Sequence, residues 1–311
     1  MQASRLLHSG SAAWLLLVVM GLAWGFSFSL ARIAALGGVH PFGISFWESA
    51  LAGGLLVIMV VATGMRYVLS RQTLLLYATT GLLGMIIPSV GFFYAAAHIS
   101  AGLLSVSSAI APILTFIASA VLGIEKFQQR RMVGVLFGTL SIILLVGPTE
   151  SLPDPGQVPW VLLAFASSAT YAALNITLAL WKPPGSGTLT STGGMFFAAS
   201  LMMAPFAAAT SSLGAFETPW TLVSLSLLGL GVINAAAYAI FFYLVEHAGP
   251  VFTSQTGNLV TLFGVGWGML IFGDRHSIWV WLSFMCMMLA LALVRPRRAK
   301  QLPPTTGTIV N

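Results

Sequence analysis

The sequence predicts an all-α, polytopic membrane protein: ten transmembrane helices in two inverted five-helix repeats. Three observations carry this expectation. First, 58% of the 311 residues are hydrophobic, only 6% are charged, and the apolar residues come in long runs. So few charges could not keep the surface of a soluble domain wet, whereas runs of about 20 apolar residues match a bilayer. Second, the pattern Phe-Phe-Tyr-x-x-x-His occurs twice, at Phe92-Phe93-Tyr94…His98 and at Phe241-Phe242-Tyr243…His247. The same offset carries Glu125-Lys126 onto Asp274-Arg275. In so apolar a chain, duplication points to a transporter built from two related halves. Third, the cations fall almost wholly on one side once ten spans are drawn.

Taken in order, the spans cover roughly 12–32, 42–63, 73–97, 101–122, 131–147, 158–180, 191–210, 219–245, 250–272 and 277–294. The first apolar run, Ala12 to Ala31, is too long for a signal-peptide core and no small-x-small cleavage site follows it. It reads as a retained span. The longest polar break, Gly147 to Pro159, holds Pro148, Pro153, Pro155 and Pro159 and reads as the linker between halves. The expected organisation is an N-terminal segment 1–11, a first repeat 12–147, a linker 148–157, a second repeat 158–294 and a basic tail 295–311.

With the N-terminus inside, the inner segments hold Arg5, Arg66, Arg71, Lys126, Arg130, Arg131, Lys182, Arg295, Arg297, Arg298 and Lys300. The outer segments hold only Arg32 and Arg275. Cytoplasmic loops carry the Lys/Arg excess, so both ends are expected in the cytoplasm. This also accounts for the net charge of +6 without invoking nucleic acid. Five spans per half insert the second half upside down relative to the first. That arrangement lets a central site open to either side by exchanging the conformations of the halves.

Trp24-Gly25 lies in the first span. Ser100-Ala101-Gly102 leads through Ala111-Pro112-Ile113-Leu114 to Gly123-Ile124-Glu125-Lys126. With the ten spans, these segments resemble the drug/metabolite transporter superfamily, EamA type, over about 12 to 295. The resemblance implies helices around a central cavity and export of small metabolites or amino acids across the inner membrane of a bacterium, with a periplasmic linker. Two positions depart from the family pattern. The second span reads Phe46-Trp47-Glu48 where the family often carries an arginine, and Thr261 stands at the position equivalent to Pro112.

Glu48 is the single acid well inside a span. A charge there costs about 2.5–3.5 kcal/mol on insertion scales. It reads either as a carboxylate in the cavity that binds protons or amines, or as one near the outer surface paired with Arg32. Trp24 and Tyr171 read as a pseudo-symmetric aromatic pair on the cavity, with Asn175 one turn beyond Tyr171. The bland alternative for both rings is packing. Asn234 and Tyr238 share one helix face, as do Gln255 and Asn258. Amides in hydrocarbon must find partners, so these contact solute or glue helices together. Tyr94 and His98, like Tyr243 and His247, sit four apart near helix ends, as interfacial groups or as a pH-sensing gate. Pro88, Pro112 and Pro205 free backbone carbonyls, and Pro112 is a candidate gating bend. Gly21-x-x-x-Gly25, Gly134-x-x-x-Gly138 and Gly264-x-x-x-Gly268 allow close helix approach.

No Gly-Lys-Ser/Thr phosphate loop, no His-Glu-x-x-His and no Cys/His cluster is present, and Cys286 is the single cysteine. The sequence therefore suggests no cofactor, no metal and no enzyme. It leads to a secondary transporter, monomeric or homodimeric, whose partners are a small-molecule substrate, protons and the lipid bilayer. An importer or facilitator on the same fold is the nearest alternative, and a non-transporting membrane enzyme or sensor is a more distant one.

Overall fold

In hydrocarbon a continuous backbone must bond to itself, which favours helices. Every regular element among the described residues is helical. The computed structural model describes residues 10–108, 110–124, 128–146, 158–183, 186–214, 216, 220–273 and 278–293. The sequence readings for Glu125-Lys126, linker 148–157, Asp274-Arg275 and tail 295–311 lie outside the described residues.

The first half comprises α1 (Gly10–Leu36), α2 (Pro41–Ala62), α3 (Arg71–Gly81), a π-helical turn (Leu82–Ile86), α4 (Ile87–Ala96), α5 (Ala101–Ser107), α6 (Ile110–Val121) and α7 (Gln129–Val146). The second comprises α8 (Val158–Trp181), α9 (Thr188–Ala209), α10 (Leu222–Ala248), α11 (Pro250–Ser254), α12 (Thr256–Phe272) and α13 (Ile278–Leu293), with a 3-10 turn at Ser212–Gly214. Local chemistry sets the boundaries. Pro41 opens α2 where its missing N–H costs nothing, and His40 Nδ1 accepts from the Phe42 amide at 3.2 Å. Ser70 and Thr73 form a reciprocal capping box at α3. Gly249, at φ 91°, takes the positive angle that separates α10 from α11.

Among the described residues, six helices are long and apolar enough to cross a membrane: Ser11–Leu36, Pro41–Ala62, Arg71–Ala96, Leu162–Trp181, Thr188–Ala209 and Leu222–Ala248. Their outward faces carry exposed Leu15, Ile58, Val61, Leu162, Phe197 and Leu201, as lipid-facing helices require. The sequence reading drew 101–122 and 250–272 as unbroken spans. The structure splits both: α5 ends at Ser107 with α6 starting at Ile110, and α11 and α12 part at Gln255. Hydroxyls are the cause in part. Ser107 Oγ and Ser108 Oγ donate to Leu104 O and Ser105 O at 2.7 and 2.6 Å, and Ser254 Oγ and Thr256 Oγ1 do the same to Val251 O and Thr253 O. Pro112 also lacks the amide that Ser108 O would otherwise accept.

The principal helix interfaces join one half to the other. α2 packs on α9, α7 on α13 and α5 on α12. α1 packs on α10 and α12, while α8 packs on α4 and α6. Small residues permit the tightest of these. A Cβ on Gly25 would lie 2.8 Å from the Gly264 amide nitrogen, and one on Gly264 would meet Ser105 Cβ at 2.4 Å. The split helices hold each other: Thr261 Oγ1 donates to Ser105 O at 2.9 Å, and Ser108 Oγ to Gly257 O at 3.1 Å. Thr261, set against Pro112 in the sequence reading, thus makes a side-chain bond that a proline could not.

Candidate functional site

A cavity of about 70 Å³ lies where the two halves meet. Its walls come from α1, α2, α4, α6, α8, α10, α11 and α12. That volume admits several waters or a small solute group. Aromatic and aliphatic side chains make most of the wall's surface, and hydroxyls, two amides and one carboxyl interrupt it.

Glu48 enters from the second turn of α2 and is 4% exposed. Asn234 Nδ2 on α10 donates to Glu48 Oε1 at 2.5 Å and to Leu230 O at 3.0 Å. Asn234 Oδ1 accepts the indole N–H of Trp24 on α1 at 2.7 Å. One amide therefore ties the carboxylate to the indole and fixes both. Glu48 Oε2 is buried without a hydrogen-bond partner, although Ser89 lies nearby on the wall. Arg32 takes no part: its guanidinium lies 5.1 Å over the Phe272 ring, so the pairing of Glu48 with Arg32 entertained from sequence is not what the structure holds.

Opposite, Asn175 on α8 donates its Nδ2 to Tyr171 O at 2.9 Å and to Thr115 Oγ1 at 3.4 Å. Its Oδ1 is buried without a donor. Trp24 and Tyr171 stack with centroids 6.5 Å apart at 26°, and Phe92 stacks on Tyr171 at 6.3 Å and 25°. Tyr238 meets Trp24 edge-on at 4.9 Å. The Tyr238 hydroxyl donates to Gly84 O within the π-helical turn. In an α-helix the residue serving that carbonyl would be number 88, which is Pro88 and has no amide hydrogen. The proline frees the acceptor and the tyrosine takes it.

Of the sequence candidates, Trp24, Glu48, Tyr171, Asn175, Asn234 and Tyr238 line the cavity together. Tyr94 does not. It turns to a second, apolar hollow with Phe42, Val90 and Phe206 on the other face of α4, where His40 packs edge-on against it at 5.8 Å. Gln255 and Asn258 are buried beside the cavity but bonded to each other, Asn258 Nδ2 donating to Gln255 Oε1 at 2.7 Å. A Cβ on Gly138 of α7 would meet Asn258 Nδ2 at 2.8 Å, so Asn258 packs between helices. His98 stacks on Trp160 at 3.8 Å and His247 on Tyr243 at 4.2 Å, both off the cavity wall. Pro112 borders the α5–α6 split, and its ring would lie 3.4 Å from a Cβ on Gly257. Sequence reasoning passed over Ser108, Thr253, Ser254 and Thr256, which add hydroxyls to the wall. Their signal was present in the polar clusters Ser105-x-Ser107-Ser108 and Thr253-Ser254-Gln255-Thr256 inside apolar runs.

Residues 11–147 match the model of the EamA-like transporter family. The protein PecM of Dickeya dadantii (strain 3937) is 25% identical over 181 residues, which are 58% of this chain and 60% of that protein. A WAT1-related protein of Arabidopsis thaliana is 24% identical over 236 residues, which are 70% of this chain and 65% of that protein. Both matches span less than two thirds of the relative's own length. A solved crystal structure superposes with a TM-score of 0.70 at 17% identity, covering 92% of this chain and 96% of that one, a likeness of fold.

Proposed function

Because residues 11–147 match the model of the EamA-like transporter family, we infer that the chain is a secondary active transporter exporting a small organic solute by alternating access. The observation that carries this reading is the partly polar cavity holding Glu48 at the meeting of two interdigitated halves. A buried carboxylate inside a membrane protein is expensive, which marks it as a candidate site for a solute or an ion. The walls suit an amphipathic solute, with aromatic faces for an apolar part and few polar groups for the other end.

The interfaces support a ten-helix inverted repeat. If α8 corresponds to α1, α10 to α3 and α4, and α12 to α6, then the packing of α1 on α10 and α12 is mirrored by that of α8 on α4 and α6. The interfaces of α2 with α9 and of α7 with α13 map onto themselves. A two-fold axis in the membrane plane would generate this pattern. The cation distribution supports a cytoplasmic location for both ends in the inner membrane. The test is counterflow of a labelled metabolite panel into liposomes holding the purified chain, with and without a pH gradient. Accumulation of at least one solute is expected. Counterflow of none, under either condition, would remove the transporter reading.

A further inference from the structure

Resting on the transporter reading, we propose that the solute is a protonated primary amine with an apolar or aromatic body, exchanged for a proton at Glu48. The argument is a balance of charge and of hydrogen-bond donors. Glu48 keeps Oε2 unpartnered at 4% exposure, and no cationic side chain pairs with it. An ionised carboxylate in such a place needs a neutralising partner. A proton supplies one and an entering cation supplies another. The two compete for the same oxygen, which is what an exchanger requires.

Apart from the Ser89 and Tyr171 hydroxyls, the donors of the wall are already spent. The Trp24 indole serves Asn234, the Asn234 amide serves Glu48, the Asn175 amide serves Tyr171 O, and the Tyr238 hydroxyl serves Gly84 O. The hydroxyls of Ser108, Thr253, Ser254 and Thr256 each donate to a backbone carbonyl. Two buried acceptors remain without a donor, Glu48 Oε2 and Asn175 Oδ1. A ligand completing this cavity must bring N–H groups and positive charge. A carboxylate ligand would bring acceptors and a second negative charge beside Glu48, to a wall whose uncommitted donors are the Ser89 and Tyr171 hydroxyls. A quaternary ammonium has the charge and no N–H. The aromatic faces of Trp24, Tyr171 and Phe92 attract a cation and receive an apolar body.

The exchange balances. The Glu48 carboxyl O–H breaks, its proton leaves to the aqueous phase, and the carboxylate accepts an N–H from the ammonium, one positive charge replacing another. The titratable groups turned toward Glu48 are the phenols of Tyr238 on α10 and Tyr171 on α8. α9 contributes none, Tyr94 on α4 faces the second hollow, and Arg32 on α1 lies over Phe272.

The probes are tyramine, its N-trimethyl analogue and 4-hydroxyphenylacetate, tested with the purified full chain. In weakly buffered detergent, tyramine binding is expected to release about one proton per molecule bound in the wild type and none in Glu48→Gln. In liposomes, tyramine counterflow should exceed that of either analogue by at least about tenfold. Glu48→Asp keeps the proton release and guards against a folding defect in Glu48→Gln. Asn175→Leu should narrow the preference for tyramine over the trimethyl analogue. Proton release that persists in Glu48→Gln, or a preference for either analogue, overturns the proposal. Counterflow of neutral or anionic metabolites without any amine overturns it too, and leaves the transporter reading standing. Silence of the whole panel removes both.

Discussion

Asn234 is the residue on which the site's polar order depends. Its two ends hold Trp24 and Glu48, so Asn234→Ala leaves a buried N–H and a carboxylate oxygen unpaired. Each orphaned group costs about 1–3 kcal/mol. A matching drop in thermal stability in detergent is expected. Trp24→Phe in the Asn234→Ala background should cost less than in the wild type, with coupling of at least about 0.5 kcal/mol. Lys182 Nζ and Glu246 Oε2, 2.5 Å apart at helix ends, form a contrasting pair. The Glu246 side chain is 44% exposed, so Glu246→Gln should change stability by about 0–1 kcal/mol. Sequence alone singled out Glu48, Trp24 and Asn234 separately, because polar groups in apolar runs stand out. It could not join them: Trp24 and Asn234 are 210 residues apart, and nothing in helical spacing reports a contact between helices.

At the scale of elements, close approach and phase matter most. A Cβ on Gly25 meets backbone atoms of α12 that cannot swing aside, whereas one on Gly54 meets nothing within 4 Å. Gly25→Ala is expected to cost about 1–3 kcal/mol. Gly54→Ala should be neutral or slightly stabilising, since alanine is the better helix former. Parallel melting curves of the two variants test the contrast. The π-helical turn Leu82–Ile86 holds an additional residue, so α4 begins about 100° round from where an unbroken α-helix would place it. Deleting Leu83 should turn Ser89 away from the cavity. A cysteine at residue 89 would then lose protection by bound solute against thiol reagents. Six of the ten spans were legible, because apolar runs of this length match a bilayer and the structure carries each as a helix long enough to cross one. The splits at residues 108 and 255 were not, since apolarity continues through them and only the hydroxyl clusters mark the break.

For the whole molecule, the proposed inversion of one half relative to the other makes a sharp prediction about sidedness. α2 and α9 are proposed counterparts, so their starts should face opposite compartments. In a Cys286→Ser background, Val39→Cys is expected to react with an impermeant thiol reagent from outside and Ser186→Cys from the cytoplasm. Reaction of both from one side would end the proposal. A repeated motif suggested two related halves, but the interleaving of helices was not legible, because a repeated pattern gives no docking geometry. That interleaving bears on how the chain is made. The principal interfaces of α1, α2, α4 and α6 are with helices synthesised later. During translation the early helices must wait in the lipid, their cavity-side polar groups lacking their final partners, until the distant sequence arrives. Contacts of such long range make for slow assembly. A ribosome that stalls near the midpoint leaves a fragment without the principal partners of its helices, fit for quality control and not for storage.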